Sequence, residues 1–341
     1  MTSRGRGYTV AVVGATGAVG REFLRIAESR DFPISSLRLL ASSRSAGNRM
    51  RFRGEEIEVE ETTDRSFRDV DLAFISATTE ASRHYCPLAV EAGAVAIDDS
   101  SAFRMDPAVP LVVPEVNADD LSRDRRLVAI PNCSTTPLVL ALAPLHRANR
   151  VTRVVVSTYQ SVSGTGTAAM QELTSQTKQV LDGGHPDAEV YPHQIAFNLL
   201  PQIDAFLDNG YTKEEWKMVQ ETRKIMHEPA LPVSSTCVRV PVYVCHSEAV
   251  HVEFQRPIAP EEVRHLLEGA QGLALDEAGK PESYHYPIQA AGTDPVYVSR
   301  IRQDASLRNG IAMWLVSDNL RKGAALNAIQ IAESMAERDL I

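Results

Sequence analysis

The sequence predicts an α/β protein with two domains, and three observations support this class. The chain opens with an apolar strand, a glycine-rich turn and a helix in direct succession. Beyond residue 150 it changes to long β-branched runs with few helices, which favour an α+β domain with a mostly antiparallel sheet. The end returns to helical periodicity, and 341 residues suffice for two separate cores.

Composition and charge argue against several classes of protein. The net charge of −9 provides no basic patch for nucleic acid or an anionic membrane surface. No apolar run is long enough to span a bilayer. The four cysteines lack CxxC or framework spacing, which suits a reducing cytoplasm better than a disulfide or metal scaffold. We therefore expect a cytoplasmic protein without a metal site and with small-molecule partners.

The N-terminal stretch predicts a dinucleotide-binding turn. Tyr8–Val13 is typical of a buried parallel strand, and residues 21–28 have helical spacing. The glycines between them are spaced GxxGxxG rather than GxGxxG. In this context they favour a pyrophosphate site at a helix N-terminus, although a purely structural βα turn has the same pattern. The candidate cofactor-binding residues are Gly14, Thr16, Gly17, Ala18, Val19 and Gly20.

The turn after the second predicted strand, Leu37–Ala41, indicates which dinucleotide binds. An NAD site usually carries an acidic residue here for the ribose hydroxyls. This chain instead has Ser42, Arg44 and Ser45 and no acid. A guanidinium and two hydroxyls suit a 2′-phosphate, so we expect NADP; a solvated polar loop is the alternative.

Two further strands are predicted at Val70–Ser76 and Ala94–Asp98. Arg104 follows the second of them. Because ligands of open α/β folds bind at the carboxyl ends of the strands, Arg104 is placed where an anionic ligand would bind.

The segment Ala129–Leu138 contains the strongest candidate for catalysis. It combines the end of a buried run, a Pro-Asn turn and a helix, with Pro137 in the first helical turn. Three residues of good N-cap type follow the turn: Ser134, Thr135 and Thr136. Cys133 lies just ahead of the helix N-terminus, where free N–H groups and the helix dipole favour a thiolate. It is a candidate nucleophile, and a buried structural cysteine is the alternative.

In the second domain, strands are predicted at Val151–Gln160, Thr236–Val244 and Ala249–Phe254. A mostly antiparallel sheet commonly leaves one face open, which can pair with a second subunit. One helix is predicted from Thr167, and the chain ends in a helix over Ser317–Ala332 that packs on the first domain.

A polar helix is predicted over Thr212–His227. Thr212 and Glu215 have the spacing of a capping box. Glu214 and Lys217, at i and i+3, lie on one side of this helix.

Two residues of the predicted strands could support a cysteine nucleophile. His246 is placed at a strand end and could handle protons, although a surface or satisfied structural histidine is more common. Arg239 lies in an apolar strand and needs an anionic partner, either a substrate carboxylate or an internal acid. Strict alternation would place the two on opposite faces unless Pro241 or the strand end interrupts it.

A series of motifs extends along the whole chain. In order, these are GATGAVG, ASSRSAG, DDSSAFR, VPEVN, PNCSTTP, TYQSVSGTG, QIAFNLLPQID, TCVRVPV, CHSEAV and SDNLRKGAALNAIQIAE. Together they resemble the bacterial-type aspartate-semialdehyde dehydrogenases. The resemblance implies a Rossmann-type NADP domain over residues 1–132, completed by a C-terminal helix over 317–341. It also implies a catalytic and dimerisation domain over residues 133–316, through which the protein is expected to form a homodimer.

The implied reaction is the NADPH-dependent reductive dephosphorylation of L-aspartyl 4-phosphate to L-aspartate 4-semialdehyde. This step serves lysine, threonine, methionine and diaminopimelate synthesis. By motif, Cys133 matches the nucleophile, protonated His246 the acid/base, and Gln160 the residue that orients the acyl-enzyme.

The resemblance assigns ligand-binding roles as well. Arg239 matches the group that binds the substrate carboxylate, and Glu214 the group that binds its amine. Phosphate would be held by Arg104, Asn132 and Lys217. Further cofactor contacts would come from Ser163, Gly164 and Asn319.

The chain departs from the family pattern at Asp99, where many members have Asn, and over residues 76–80, which lack a common glycine. Two alternatives stay open. An N-acetyl-γ-glutamyl-phosphate reductase would share the cysteine chemistry but would not need Glu214. A non-catalytic NADP-binding protein would keep the glycine turn but would not need Gln160, Arg239 and His246 together.

Overall fold

The structure is a computed structural model that describes residues 7–280 and 282–341. Within these residues the chain forms two compact units. The first unit runs to Pro131 and is completed by Ala324–Ile341, and the second comprises Asn132–Gly323. The predicted division after residue 132 lies one residue from this boundary, whereas the chain rejoins the first unit seven residues later than the expected position 317.

The sheet of the first unit is parallel except at one edge. Its strands are β1 (Tyr8–Val13), β2 (Ile34–Ala41), β3 (Arg49–Phe52), β4 (Glu55–Glu61), β5 (Leu72–Ile75), β6 (Val95–Asp98) and β7 (Leu127–Ala129). They are arranged in the order β3-β4-β2-β1-β5-β6-β7. Only the hairpin β3–β4, which the sequence did not predict, pairs antiparallel. Its strands are rich in charged residues, and the alternation of apolar residues in each is limited to two positions, Met50 and Phe52 in β3 and Ile57 and Val59 in β4.

Helices cover this sheet and bury the strands. They are α1 (Ala18–Ser29), α2 (Thr79–Glu91), the short α3 (Pro114–Asn117) and α9 (Leu326–Glu337). Side chains of β1, α1 and α9 share one hydrophobic core, which includes Val12, Phe23 and Ile329. An ion pair of 2.7 Å between Arg30 and Glu333 also joins α1 to α9. The C-terminal helix therefore packs within the first unit.

The second unit is built on a six-stranded sheet. Its strands are β8 (Val151–Gln160), β9 (Val233–Arg239), β10 (His246–Phe254), β11 (Leu273–Leu275), β12 (Val296–Gln303) and β13 (Gly310–Ser317). The order is β11-β12-β13-β10-β8-β9, with antiparallel pairs in the middle and parallel pairs at both edges. The expected mostly antiparallel sheet is therefore confirmed.

The helices of the second unit are α4 (Thr135–Ala148), α5 (Thr167–Leu181), α6 (Lys213–Ile225), α7 (Pro260–Leu267) and the short α8 (Pro287–Ala290). The apolar side of α4 is buried in the main core of this unit, as Leu138, Leu142 and Leu145 show. The predicted capping box of α6 is present, with Thr212 and Glu215 bonded in both directions. In the described part of the chain, no helix combines the length and apolarity that crossing a bilayer requires.

Two predicted elements were wrong in their bounds. The strand expected over Thr236–Val244 ends at Arg239, because Pro241 has no N–H to donate and Cys245 has a φ of +77°. The helix expected over Ser317–Ala332 begins only at Leu326, after a π-helical segment over Arg321–Ala325. Ser317 instead ends β13, where it pairs with His246.

Candidate active site

Cys133 lies at the start of α4, as the sequence predicts, but Asn132 caps this helix. The side-chain Oδ1 of Asn132 accepts the N–H of Ser134 at 2.8 Å, and its carbonyl accepts the N–H of Thr136 at 3.0 Å. Ser134 is the N-cap residue, yet its side chain makes no capping hydrogen bond. The amide thus holds the turn that presents Cys133.

Cys133 also differs from the other cysteines in exposure. It is partly exposed, whereas Cys86, Cys237 and Cys245 are buried, and none of the four forms a disulfide. Burial raises the pKa of each of these three thiols. A thiolate is therefore disfavoured at the three buried positions.

His246, the first residue of β10, faces Cys133. Its Nε2 lies 3.2 Å from the cysteine sulfur, and the ring is buried. The backbone N–H of Ser161 donates to its Nδ1 at 3.1 Å. Burial, and then the nearby Arg239, lower the pKa of His246 to about 3. The imidazole is therefore neutral at physiological pH.

Gln160 and Asn132 are held by one carboxylate, that of Glu214. Its Oε1 accepts the side-chain amides of Asn132 at 2.8 Å and Gln160 at 3.0 Å, while Oε2 accepts Lys217 at 3.2 Å. Burial alone would raise the pKa of Glu214, but Lys217 and the two amides lower it to about 2. The hydroxyl of Thr158 donates a hydrogen bond to Oε1 of Gln160 at 2.9 Å, which fixes the other end of this amide. Glu214 is consequently ionised and orders both amides.

Arg239, the last residue of β9, is a buried cation without an acidic partner. It donates to the carbonyl of Ser161 at 2.5 Å and lies over the ring of Tyr191, 5.7 Å from its centroid. Among the described residues no carboxylate lies within ion-pair distance of it, and its buried Nε has no hydrogen-bond partner. A buried guanidinium in this state is suited to bind an anionic ligand.

Arg239 and His246 converge although they belong to different strands. A Cβ placed on Gly164 would lie 3.3 Å from Nη1 of Arg239 and 3.4 Å from Nε2 of His246. The alternation that would separate the two side chains does not apply, because residues 240–245 form a loop between their strands.

Two of the three residues expected to hold phosphate, Asn132 and Lys217, meet at Glu214 in the second unit. Lys217 is engaged by Glu214 and by Asp204, the latter at 3.1 Å. Arg104 belongs to the first unit, where it donates to the carbonyl of Asp99 at 2.9 Å. Burial raises the pKa of Asp99 to about 7, although Arg104 and a hydrogen bond from Ser76 oppose this shift. Their role toward phosphate stays a prediction.

The glycine turn of the first unit has the geometry of a dinucleotide site. Gly14 has a φ of +80°, and a Cβ there would lie 2.0 Å from the carbonyl oxygen of Ser76. A Cβ on Gly20 would lie 2.3 Å from the carbonyl oxygen of Gly14. Gly17 caps α1 without a side chain, and the first turn carries no acid. The backbone N–H groups there are suited to bind a pyrophosphate.

The turn after β2 has the expected polar character. Ser42 and Arg44 are exposed and Ser45 is partly exposed. The N–H of Ser45 donates to the carbonyl of Ser42 at 2.9 Å, which closes the turn. These side chains fit a 2′-phosphate, since no acid lies among them.

Sequence reasoning missed a buried network behind His246. Oδ1 of Asn319 accepts the N–H of Cys245 at 2.9 Å and the hydroxyls of Ser163 at 3.1 Å and Ser161 at 3.2 Å. The expected cofactor residues Ser163, Gly164 and Asn319 therefore all lie in the second unit, near His246. Ser161 follows Gln160 directly, but nothing in the sequence indicates that its N–H meets the imidazole.

Models of two protein domains match the chain. "Semialdehyde dehydrogenase, NAD binding domain" matches residues 9–123, and "Semialdehyde dehydrogenase, dimerisation domain" matches residues 142–322. An aspartate-semialdehyde dehydrogenase of Aquifex aeolicus is 49% identical over 339 residues, which cover 98% of this chain and 100% of the relative. The chain belongs to the aspartate-semialdehyde dehydrogenase family.

Solved structures agree with this membership. Aspartate semialdehyde dehydrogenase II from Vibrio cholerae, in a crystal structure complexed with ASA, has a TM-score of 0.95 and 46% identity, covering 97% of this chain and 99% of that one. The Candida albicans enzyme, solved with NADP, has a TM-score of 0.77 and 25% identity, covering 98% and 100%. The expected family, fold class and dinucleotide-binding domain are confirmed.

Proposed function

We propose that this chain is an NADPH-dependent aspartate-semialdehyde dehydrogenase that converts L-aspartyl 4-phosphate to L-aspartate 4-semialdehyde. The arrangement that supports this most directly is a single partly exposed thiol, 3.2 Å from a neutral imidazole. Nearby lie an ionised carboxylate and a guanidinium with no acidic partner among the described residues. The thiol can attack the acyl carbon, the guanidinium can bind the α-carboxylate, and the carboxylate can bind the amine. The arrangement therefore suits an amino-acid acyl phosphate.

In the first step the Cys133 thiolate attacks the acyl carbon, the sulfur–carbon bond forms, and phosphate leaves with the electron pair of the broken carbon–oxygen bond. Arg239 binds the α-carboxylate through its buried Nε edge, which lacks an internal acceptor. Glu214 binds the amine and keeps Gln160 oriented beside the acyl group. Arg104, Asn132 and Lys217 are proposed to bind phosphate.

The first unit is proposed to provide most of the dinucleotide site, including its glycine turn. The residues that would hold NADPH include Gly14, Thr16, Gly17, Ala18, Val19, Gly20, Ser42, Arg44, Ser45, Ser163, Gly164 and Asn319. When bound, the dinucleotide supplies the hydride that reduces the thioester. Replacing the exposed Arg44 by Ala should raise the dissociation constant of NADPH about tenfold and leave that of NADH nearly unchanged. Equal effects on both would show that Arg44 is only a solvated loop residue.

We also propose a homodimer formed through the open face of the second sheet. Alternate residues of β8 point away from the core, and Tyr159 on that face is 37% exposed. Its ring lies 5.5 Å from that of Trp314 on β13, so the face is aromatic as well as open. Light scattering should give the mass of a dimer, and a fully active monomer at micromolar concentration would contradict this. A cytoplasmic location stays a prediction.

The function is tested by following NADP⁺ reduction with aspartate semialdehyde in the presence and absence of phosphate. We expect sustained turnover only with phosphate, because the thioester needs it as the acceptor. Preference for an N-acetylated semialdehyde would favour the reductase alternative. NADPH binding without any turnover would favour a non-catalytic protein.

A further inference from the structure

We propose that Tyr191 is a positioning residue for the substrate carboxylate, because its ring fixes the plane in which Arg239 presents its Nε edge. The ring belongs to a segment between α5 and α6, here called the Tyr191 loop (residues 187–196), which two buried side chains of α5 hold in place. The kinetic part of this inference rests on the proposed function, whereas the packing of the ring on Arg239 does not.

The ring of Tyr191 covers one face of the Arg239 guanidinium. The guanidinium carbon lies 5.7 Å from the ring centroid, which is the distance of a cation–π contact. Tyr191 is half-buried and Arg239 is buried. A guanidinium donates its hydrogen bonds within its own plane, so a ring on its face leaves the donor edges unoccupied. Tyr191 can therefore fix the orientation of this plane without competing with a carboxylate.

The backbone fixes the guanidinium at one end of the same plane. Nη1 of Arg239 donates to the carbonyl of Ser161 at 2.5 Å, and the buried Nε has no hydrogen-bond partner among the described residues. Gly164 lies close on the Nη1 side, since a Cβ there would be 3.3 Å from this nitrogen. One face and one end of the group are thus occupied, and the Nε edge is left for a carboxylate.

Tyr191 is a neutral partner for this cation. Its hydroxyl donates to Oγ1 of Thr165 at 3.0 Å. Burial raises the pKa of Tyr191, although Arg239 and the hydrogen bond to Thr165 oppose this shift. The hydroxyl therefore keeps its proton at neutral pH, and no tyrosinate supplies the anion that Arg239 lacks. The negative charge that would compensate the buried guanidinium is left for a ligand to supply.

Glu172 holds the Tyr191 loop just before the ring. This buried side chain of α5 accepts through Oε2 the backbone N–H of Glu189 at 3.1 Å and that of Val190. Its Oε1 accepts Nε2 of Gln176, one turn further along α5, at 3.2 Å. Hydrogen bonds to a carboxylate are stronger than those between neutral groups. The backbone that leads into Tyr191 is thus fixed to the helix.

Gln176 holds the Tyr191 loop just after the ring. Its Oε1 accepts the backbone N–H of Ile195 at 2.9 Å and that of Ala196 at 3.1 Å. Its Nε2 also donates to the carbonyl of Asp187 at 3.0 Å. The side chain is only 2% exposed, so breaking these bonds would leave buried polar groups unsatisfied. The loop is therefore attached to α5 on both sides of Tyr191, and this attachment places the ring on the guanidinium.

The kinetics of phosphate-dependent NADP⁺ reduction test this role with two variants. Tyr191→Leu removes the ring, and we expect KM for aspartate semialdehyde to rise about tenfold with kcat changed less than about threefold. Tyr191→Phe keeps the ring and loses only the hydroxyl, so its KM should stay within about threefold of the wild-type value. In both variants KM for phosphate and for NADP⁺ should change less than about twofold.

Tyr284→Leu is the matched control, because this exposed tyrosine packs on the ring of Tyr286. It should leave all three KM values unchanged. A wild-type KM for the semialdehyde in Tyr191→Leu would overturn the proposal. Equal losses in the Leu and Phe variants would also overturn it, because they would assign the effect to the hydroxyl. A parallel rise in all three KM values would contradict it as well, since it would indicate a general disruption of the site.

A test that needs no turnover measures access to Arg239 itself. Phenylglyoxal modifies guanidinium groups, and mass spectrometry of the peptide that contains Arg239 gives the modification rate in the protein without ligand. We expect a rate at least about fivefold higher in Tyr191→Leu and a wild-type rate in Tyr191→Phe, because only Leu uncovers the face of the group. An unchanged rate in Tyr191→Leu would overturn the packing role. Faster modification in a protein that does not turn over aspartate semialdehyde would support the packing and contradict only the proposed function.

The role of α5 is tested by Gln176→Ala, which frees the Tyr191 loop. We expect KM for the semialdehyde to rise about fivefold or more, and the double variant with Tyr191→Leu to lie within about twofold of Tyr191→Leu alone, because both changes act through one ring. Gln179→Ala, exposed on the same helix, is the control and should have no effect. If Gln176→Ala does not fold, Gln176→Glu keeps the acceptor oxygen, and repulsion from Glu172 should loosen the loop and raise KM. Losses that multiply in the double variant, or a wild-type KM in the folded Gln176 variants, would contradict the role of α5.

Discussion

The glycine turn of the first unit and the thiol site of the second unit are assembled in different ways. At the glycine turn the proposed binding group is the backbone itself, and one continuous stretch from Gly14 to Gly20 supplies it. At the thiol site, side chains from separate strands, helices and loops supply the chemistry, and a single carboxylate orders two of them. A backbone site fails when a Cβ is added, whereas a side-chain site fails when a charge or a functional group is removed.

The largest effect is expected for Cys133→Ser. A serine hydroxyl is scarcely ionised at neutral pH, so it is a much weaker nucleophile than a thiolate. Turnover should fall by about a thousandfold or more, as measured by phosphate-dependent NADP⁺ reduction. NADPH binding by the same variant, followed by fluorescence, is the control and should stay normal. Substantial remaining turnover would remove Cys133 from the mechanism.

The next effect is expected at Arg239. Lys would keep the charge but lose the planar donor edge that can bind a carboxylate through two hydrogen bonds. Arg239→Lys should raise KM for the semialdehyde about tenfold to a hundredfold, with an unchanged circular dichroism spectrum. The exposed Arg153→Lys on β8 is the matched control. An unchanged KM would mean that the carboxylate binds elsewhere.

The glycine turn can be broken without touching the thiol site. A Cβ on Gly20 would lie 2.3 Å from the carbonyl of Gly14, whereas one on Gly17 would lie 3.2 Å from it. Gly20→Ala should weaken NADPH binding about tenfold, because α1 must shift away from the turn. Gly17→Ala should have a smaller effect. The alkylation rate of Cys133 should stay the same in both variants, and a change would show that the two sites are not independent.

The smallest effect concerns a buried acid that the reaction does not use. Both carboxyl oxygens of Glu248 on β10 lack hydrogen-bond partners among the described residues, and burial raises its pKa well above 4.5. The folded state therefore binds the proton more tightly, and stability falls as pH rises above the unfolded pKa. Glu248→Gln cannot ionise and should increase the free energy of unfolding at pH 7 by about 1 kcal/mol.

Urea unfolding at neutral pH and below pH 4.5 checks this prediction, since the gain should vanish at the acidic pH. Glu253→Gln on the same strand, where the side chain is partly exposed, is the control and should change little. A loss of stability in Glu248→Gln at both pH values would show that the carboxyl is satisfied in the folded state.

The same contrast explains what could be predicted from the sequence. The glycine turn, the strand before it and the helix after it are local in the chain, so spacing alone indicates the site. The capping box of α6 and the pair Glu214 and Lys217 were predicted correctly for the same reason. The hydrogen bond from Ser161 to His246 joins residues 85 positions apart and involves a backbone N–H, which no residue type reveals.

Other errors have physical causes too. Apolar periodicity continued through Ser317–Ala332, but pairing of Ser317 with His246 extends β13, and the helix starts later. The expected phosphate contact of Asn132 stays a prediction, and the sequence did not reveal that its amide caps α4 and bonds to Glu214. Which polar group serves structure and which serves the ligand depends on contacts between distant segments.

The most direct test of the central claim is mass spectrometry of the wild-type protein mixed with aspartate semialdehyde and NADP⁺ in the absence of phosphate. The mechanism predicts a burst of about one NADPH per chain and an aspartyl adduct on the peptide that contains Cys133, which phosphate then discharges. Continued reduction of NADP⁺ without an adduct, or an adduct on Cys86, Cys237 or Cys245, would contradict it.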